Sequence, residues 1–248
     1  PVPGKYKWVV SCDLNSLYPH LVMQYNISPE TIGPYAPALF TIDQLLDKTY
    51  NPPLKPSWAL APNGYYFSCA KQGFIPAIME EMYDNRVAAK DKMQEFRKQK
   101  ELEEDKYEIA KIEKQITRFK NRQHAMKIQL NSGYGAFGSA YFRYFDIRQA
   151  TAITNGGQFV IRWAINEINS YMNKILKTEG LDYVIASDTD SLYINMEGLV
   201  NMVFGDDQGD PVKITKFLDK VFKTKIEPFI EEFYLRLTER TNAFANKM

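Results

Sequence analysis

Three aspartates lie at positions where a β-sheet could bring their carboxylates together. Asp13 ends the β-rich segment KWVVSCD, and Asp188 and Asp190 stand in the polar turn between the β-rich runs YVIAS and LYINM. Strand ends and hairpin turns can meet at one edge of a sheet. Because clustered carboxylates repel one another, they are favoured when divalent cations neutralise them, and two such cations suit in-line phosphoryl transfer. Asp and Thr also favour turns for purely local reasons.

Basic and polar side chains recur at helical spacing farther along the chain. Arg86 and Lys90 are four residues apart on one helix-forming segment, so they share a face. Lys127, Asn131 and Tyr134 share a face on the next such segment. Two facing stripes of this kind could hold a triphosphate, since a guanidinium forks onto phosphate oxygens and an ammonium acts as a point charge. A solvated helix surface explains the same spacing equally well.

The elements that must position these side chains are partly visible in the sequence. Strong helix formers fill residues 75–100 and 107–130, and the charged patch KQKELEEDK between them predicts the tip of an antiparallel helical hairpin. Apolar stripes predict further helices near 151–177 and 212–240, the second with a hinge near a proline. The two β-rich runs around the acidic turn predict a β-hairpin.

Composition bounds the class of protein. The chain has 248 residues, of which 45% are hydrophobic and 25% charged, as in folded domains. Its two cysteines, Cys12 and Cys69, are far apart in sequence and exclude a disulfide framework. No run approaches about 18 apolar residues, so neither a membrane span nor export is predicted. Residues 86–127 hold 13 Lys and Arg against 8 Asp and Glu, which fits a polyanionic partner or a solvated charged helix.

Three motifs follow one another along the chain: DLNSLYPH at 13–20, K-x-x-x-N-S-x-Y-G at 127–135 and SDTDS at 187–191. They resemble, in the same order, the polymerase motifs of the B-family DNA polymerases. The predicted helical hairpin lies between the first two, as in that family. The segments NISPETI and YFRYFDIRQATAIT resemble the replicative polymerases of T-even-type phages in particular. The resemblance covers nearly the whole chain and is far more specific than any one motif.

The resemblance implies an α+β fold and a reaction. The fold would be a polymerase palm, an antiparallel ferredoxin-like sheet backed by helices, formed by residues 1–75 and 133–248. A helical-hairpin fingers subdomain would be inserted at residues 76–132. The reaction would be template-directed transfer of a deoxynucleoside monophosphate from a dNTP to a primer 3′-OH with two Mg²⁺ ions, for which Mn²⁺ could substitute. The partners would be primer–template DNA and dNTPs, in the cytoplasm of an infected bacterial cell if a phage encodes the chain.

The resemblance also implies which residues would hold the metal ions. Asp13 and Asp190 would be the two metal-bridging carboxylates. Leu14 would offer its backbone carbonyl to the ion that carries the triphosphate. Asp188 would lie beside the ions and tune them without being an obligatory ligand.

Eight further residues are implied to bind the nucleotide or the nascent base pair. Ser16, Leu17 and Tyr18 would contact the triphosphate and sugar, with the Tyr18 ring beneath the sugar. The residues implied to bind phosphate are Arg86 and Lys127, supported by Lys90, and those implied to face the base pair are Asn131 and Tyr134.

The chain departs from the family pattern at a few positions. His20 stands where the family usually has a small Ser, and Ser187 stands where it usually has Gly; neither change removes a metal ligand or a phosphate contact. The hairpin is shorter than its T-even counterpart. No exonuclease-like motifs precede Asp13, and neither the family's Lys-x-Tyr element nor a thumb follows. We therefore expect only palm and fingers, with exonuclease and thumb regions missing from these residues and supplied in cis or in trans.

Two other classes of function are compatible with the sequence. A palm-type nucleotidyl cyclase would also use two carboxylates on a ferredoxin-like sheet, but it gives no reason for the motif at 127–135; production of a cyclic nucleotide would identify it. Alternatively, the chain is an inactive fragment or a piece of a split polymerase that acts as a DNA-binding or assembly module. Primer extension by the chain alone, and then with a thumb-bearing partner, distinguishes these possibilities.

Overall fold

A computed structural model of the chain describes residues 3–14, 16–205 and 210–247. Strands and helices follow one another along the chain in an α+β arrangement. In order they are β1 (Val9–Asp13), α1 (Leu17–Tyr25), α2 (Ile42–Leu46), β2 (Trp58–Leu60), β3 (Tyr66–Ser68), α3 (Phe74–Leu102), α4 (Lys106–Phe137), α5 (Ile147–Leu176), β4 (Val184–Asp188), β5 (Ser191–Asn195), α6 (Glu197–Phe204), α7 (Pro211–Val221), a π-helical turn (Phe222–Ile226) and α8 (Glu227–Thr241).

The sheets are small and antiparallel. β1, β5 and β4 form a three-stranded sheet in that order, and β2 and β3 form a separate two-stranded ribbon. Asp13 of β1 and Asp188 of β4 both pair with Ser191 at the start of β5, so the ends of β1 and β4 meet at one edge of the sheet. The β-hairpin predicted around the acidic turn is therefore present. Its strand β5 also pairs with β1, although the two strands are far apart in sequence.

The two longest helices, α3 and α4, form the predicted antiparallel hairpin. Asp105 begins α4 by accepting hydrogen bonds from the backbone N–H groups of Tyr107 and Glu108. α4 continues to Phe137, past the predicted end near residue 130, although it contains two glycines. At Gly133, a Cβ atom would lie only 2.4 Å from Cε of Met79 on α3. This glycine lets the two helices approach closely instead of ending the second one, and the predicted domain boundary after residue 132 falls inside α4.

Helix α5 runs through the interior and contacts α1, α2, α4, α6, α8 and β4. It begins at Ile147, earlier than predicted, because the Asp146 side chain caps it by accepting from the N–H of Arg148. Its buried face includes Phe159 and Trp163. The predicted hinge in the last helical segment is the π-helical turn between α7 and α8. Within residues 3–14, 16–205 and 210–247, no helix is both long and apolar enough to cross a membrane.

A buried asparagine ties the end of α1 to the chain that enters α3. Asn26 has φ of 55°, and its side chain donates to the carbonyls of Ser68 and Lys71 at 2.7 and 2.9 Å. Its side-chain oxygen accepts from the N–H of Gly73 at 2.8 Å. Asn26→Ala would leave the buried N–H of Gly73 and the two partly buried carbonyls without this partner, so we expect a loss of about 3 kcal/mol in the free energy of unfolding, measured in urea. Asn85→Ala, at an exposed position on α3, is the control, and an equal effect of the two changes would contradict this account.

Candidate active site

The end of β1 lies against the turn of the β4–β5 hairpin. Asp13 faces Ser191, whose hydroxyl donates a 2.5 Å hydrogen bond to the Asp13 carboxylate. The backbone N–H of Leu14 donates to the carbonyl of Asp190 at 2.8 Å. These two contacts fix the strand end to the turn, and as a result Asp13 and Asp190 line the same cavity.

The third predicted acid, Asp188, lies beside this pair. Its carbonyl accepts from the N–H of Asp190 at 2.6 Å, and its carboxylate accepts from the hydroxyl of Thr189 at 3.2 Å. Thr189 has φ of 51°, a left-handed conformation that reverses the chain within the turn. Asp188 is exposed and does not line the cavity. The structure thus brings two of the three acids to one cavity and leaves the third next to it.

The cavity has a volume of about 280 Å³ and lies between the sheet edge, the start of α1, and helices α3 and α4. Most of its lining consists of residues that the sequence singled out. These are Asp13, Leu14, Ser16, Leu17, Tyr18, Arg86, Lys127, Asn131 and Asp190. Thr189 completes the lining; sequence reasoning did not select it, although it lies inside the SDTDS motif. Carboxylates from the sheet and cations from the helices therefore line one cavity.

Arg86 is held in this cavity by the loop that follows β1. Its Nη1 donates to the hydroxyl of Ser16 at 2.8 Å, and Ser16 has φ of 54° at the start of α1. The Nε of Arg86 is buried and has no hydrogen-bond partner among the described residues. The hydrogen bonds to protein groups therefore satisfy the guanidinium only partly. Lys90, one turn farther along α3, is exposed and outside the lining.

Two tyrosine rings pack against each other at one side of the cavity. The centroids of Tyr18 and Tyr134 are 4.7 Å apart, and the planes are inclined at 49°. Tyr18 lines the cavity, whereas Tyr134 packs against the Tyr18 ring and is not part of the lining. Burial, followed by the neighbouring Tyr134 and Asp190, raises the pKa of the Tyr18 phenol. The Tyr18 phenol is therefore uncharged at physiological pH.

His20, which differs from the family pattern, joins α1 to α3. It is buried, and its Nδ1 donates to the carbonyl of Ser16 at 2.9 Å. Its ring meets the ring of Tyr83 edge-on, with centroids 4.6 Å apart. The larger side chain at this position therefore fills the contact between the loop after β1 and the first helix of the hairpin.

A second cavity, of about 510 Å³, shares Asp13 and Leu14 with the first and is also lined by Cys12 and Glu227. Burial, with Asp13 and Glu227 nearby, raises the pKa of the Cys12 thiol to about 11. A thiol with this pKa is protonated at neutral pH, so Cys12 is not a ready nucleophile.

The oxygen donors at the sheet edge match the preferences of Mg²⁺. This ion usually binds proteins through one or two carboxylates and takes its other ligands from water and substrate phosphates. Asp13, Asp190 and the backbone of Leu14 offer such a set in the first cavity. In the part of the chain that the structure describes, no three His, Cys, Asp or Glu side chains come together to hold a metal without a substrate. The residues are of the types from which Mg²⁺ takes its protein ligands when phosphate and water supply the rest.

Comparison with known proteins identifies the class. The sequence model of DNA polymerase family B matches residues 1–227. The chain therefore belongs to DNA polymerase family B, and the resemblance found in its motifs is confirmed. The solved structure of a family B DNA polymerase from the archaeon Pyrobaculum calidifontis is similar, with a TM-score of 0.50 and 26% identity over 83% of this chain and 23% of that one.

Among phage proteins, the DNA-directed DNA polymerases of Escherichia phage RB69 and Enterobacteria phage T4 are each 30% identical to this sequence. Each match covers 98% of the chain and 31% of the phage protein. The chain thus spans about a third of the length of these relatives. The similarity to polymerases of T-even-type phages is confirmed, and family membership removes the support for a nucleotidyl cyclase.

Proposed function

We propose that this chain forms the nucleotidyl-transfer site of a DNA-directed DNA polymerase. The reaction would add a deoxynucleoside monophosphate to a primer 3′-OH under the direction of a template and release pyrophosphate. The observation that carries this proposal is the cavity lined by Asp13 and Asp190 from the sheet and by Arg86 and Lys127 from the helices. A triphosphate needs both kinds of group, cations along its phosphates and metal-binding oxygens near the reacting phosphorus.

Two Mg²⁺ ions, or Mn²⁺ ions, held by Asp13, Asp190 and the Leu14 carbonyl would lower the pKa of the primer 3′-OH and neutralise the departing pyrophosphate. The chain's own contribution is to aim these oxygens. The hydroxyl of Ser191 fixes the Asp13 carboxylate, and the Leu14–Asp190 hydrogen bond holds the strand end and the turn together.

The remaining cavity residues would bind and orient the nucleotide. Arg86 would exchange its hydrogen bond to Ser16 for phosphate oxygens, and Lys127 would add a second positive charge. Ser16, Leu17 and Tyr18 would contact the triphosphate and sugar, with the Tyr18 ring beneath the sugar. The more peripheral residues have supporting roles in this proposal: Lys90 for the phosphates, Asn131 and Tyr134 for the base pair, and Asp188 for tuning the metals.

The helical hairpin would act as fingers, residues 76–132, on a palm formed by residues 1–75 and 133–248. Rotation of the hairpin toward the sheet would bring Arg86 and Lys127 onto the phosphates and exclude water. Primer–template DNA and dNTPs are the proposed partners, in the cytoplasm of an infected bacterial cell if a phage encodes the chain. Because the phage relatives are about three times as long, we propose that exonuclease and thumb functions are supplied outside these residues, in cis or in trans.

Arg86→Ala and Lys127→Ala should weaken binding of all four dNTPs by similar factors, because both side chains would meet phosphates that every nucleotide shares. Loss of one charge-assisted contact costs about 1.5–3 kcal/mol, or roughly 10- to 150-fold in affinity. Arg97→Ala, exposed nearer the hairpin tip, is the control and should change nothing. Nucleotide titrations of primer-bound enzyme measure the effect. A loss confined to one base would show instead that the residue reads the template pair.

The 248-residue chain alone should bind primer–template DNA weakly and extend it poorly. Its basic hairpin offers few phosphate contacts, so binding should be non-specific and should fall steeply with salt. Fluorescence anisotropy from 25 to 300 mM NaCl measures the salt dependence, and a gel assay measures extension with and without a thumb-bearing partner. Processive synthesis by the chain alone would contradict this prediction. Failure to extend even with such a partner would favour the alternative, a DNA-binding or assembly module.

A further inference from the structure

Helix α5 meets the ring of Tyr18 at a glycine. A Cβ atom on Gly157 would lie 3.1 Å from Cε1 and 3.8 Å from Cδ1 of Tyr18, and 3.7 Å from Cδ2 of Leu17. The first of these distances is tighter than ordinary carbon–carbon contacts in proteins. A methyl group at this position would therefore require the ring to shift by a few tenths of an ångström.

The surroundings decide the direction in which the ring would shift. Tyr18 lines the first cavity and Gly157 does not, so the ring lies between helix α5 and that cavity. Tyr134 packs against Tyr18 from another side, with centroids 4.7 Å apart. Gly157 itself lies within the 30-residue helix α5, where Phe159 and Val160 are fully buried, so the helix cannot readily retreat. The ring would move into the cavity.

We propose that Gly157 is a positioning residue that sets how far the Tyr18 ring reaches into the cavity. The position of the ring in turn sets the size of the 2′ substituent that the site accepts on the sugar. A glycine inside a helix costs about 1 kcal/mol relative to alanine, so this close approach is obtained at the expense of helix stability. The inference deepens the proposed function, on which it rests, because it requires Tyr18 to lie beneath the nucleotide sugar.

The preceding residue provides a matched control. A Cβ atom on Gly156 would lie 3.2 Å from Cδ2 of Leu21, a core side chain of α1 that does not line the cavity. Gly156→Ala and Gly157→Ala are the same chemical change on the same helix, with nearly the same crowding. They differ in which neighbour must yield, Leu21 or Tyr18.

The test measures equilibrium binding of three nucleotides to a full-length polymerase that carries these residues, bound to a primer–template whose primer ends in a dideoxynucleotide, with Mg²⁺ present. The probes are dATP, 2′-fluoro-2′-deoxy-ATP and ATP, whose 2′ substituents are hydrogen, fluorine and hydroxyl. We expect Gly157→Ala to weaken binding of dATP by about tenfold, as overpacking of a site does, and to weaken the other two progressively more. Gly156→Ala should leave the ratios among the three affinities unchanged.

A double variant separates a shift of the ring from general damage. In Gly157→Ala/Tyr18→Ala there is no ring to displace, so its affinities should match those of Tyr18→Ala alone. If Gly157→Ala lowers the melting temperature of the protein that has Tyr18, the same change should cause no such drop in the Tyr18→Ala variant. An equal drop there would contradict the proposed contact. If the ratios among the three nucleotide affinities were the same in Gly157→Ala and Gly156→Ala, the inference about Gly157 would be overturned, but the proposed function would not. If Tyr18→Ala itself left the ratios unchanged, the role of Tyr18 in the proposed function would fall as well.

Discussion

Replacing Asp13 or Asp190 with Asn is expected to abolish nucleotidyl transfer while leaving the protein folded. Asn keeps the shape of the side chain, and at position 13 its carbonyl can still accept the hydrogen bond from Ser191. What disappears is the negative charge that would hold the cations, a stabilisation of several kcal/mol in the transition state, so the rate should fall by about a thousandfold or more. Single-turnover primer extension by a full-length polymerase that carries these residues measures the loss, and circular dichroism checks the fold.

Asp188→Asn is the matched control for this prediction. It removes the same charge from the same turn, but Asp188 is exposed and lies outside the lining of the cavity. Its effect should therefore be much smaller. Near-normal extension by Asp13→Asn or Asp190→Asn would remove the basis for assigning the metal ions to these two carboxylates. A loss as large in Asp188→Asn would show that all three acids act as one cluster.

Tyr18→Ala is expected to retain incorporation of deoxynucleotides and to raise incorporation of ribonucleotides by orders of magnitude. A ring beneath the sugar occupies the space that a 2′-hydroxyl needs. The hydroxyl would meet ring carbon atoms without a hydrogen-bond partner, which costs about 1–3 kcal/mol in addition to the steric clash. The measurement is the ratio of kcat/KM for each dNTP and its ribonucleotide in a full-length polymerase.

Two controls define what Tyr18 contributes. Tyr18→Phe keeps the ring and removes only its uncharged hydroxyl group, so selection against ribose should persist. Tyr83→Ala removes another half-buried ring beside α1 that does not line the first cavity, and it should leave selection unchanged. If Tyr18→Ala instead destabilised the protein and left the ratio unaltered, Tyr18 would be a core aromatic that anchors the turn.

The elements with strong local signals were predictable from the sequence. Helix formers without Gly indicated the α3–α4 hairpin, and two β-rich runs around a polar turn indicated β4 and β5. The end of α4 was not predictable, because the glycine at 133 acts in a contact with Met79 that only the folded hairpin creates. The early start of α5 depends on a cap from Asp146, and the β2–β3 ribbon consists of strands of three residues each, too short for a periodic pattern.

The residues that meet at the candidate site could be named from the sequence, but their contacts could not. The motifs singled out Asp13 and Asp190, and the structure brings both to one cavity with Arg86. The hydrogen bond between Ser191 and Asp13 joins residues 178 positions apart, and no local pattern reveals such a pairing. Gly157 was missed for the same reason, since its significance arises only from what packs against it.

The central claim is that one cavity holds the metal ions and the triphosphate together. A crystal structure of the protein with a dideoxy-terminated primer–template, the complementary dNTP and Mn²⁺ tests it most directly, because anomalous scattering locates the ions. The account predicts anomalous peaks in contact with the carboxylates of Asp13 and Asp190, and a triphosphate that contacts Arg86 and Lys127. Ions bound elsewhere, or a triphosphate outside this cavity, would contradict it.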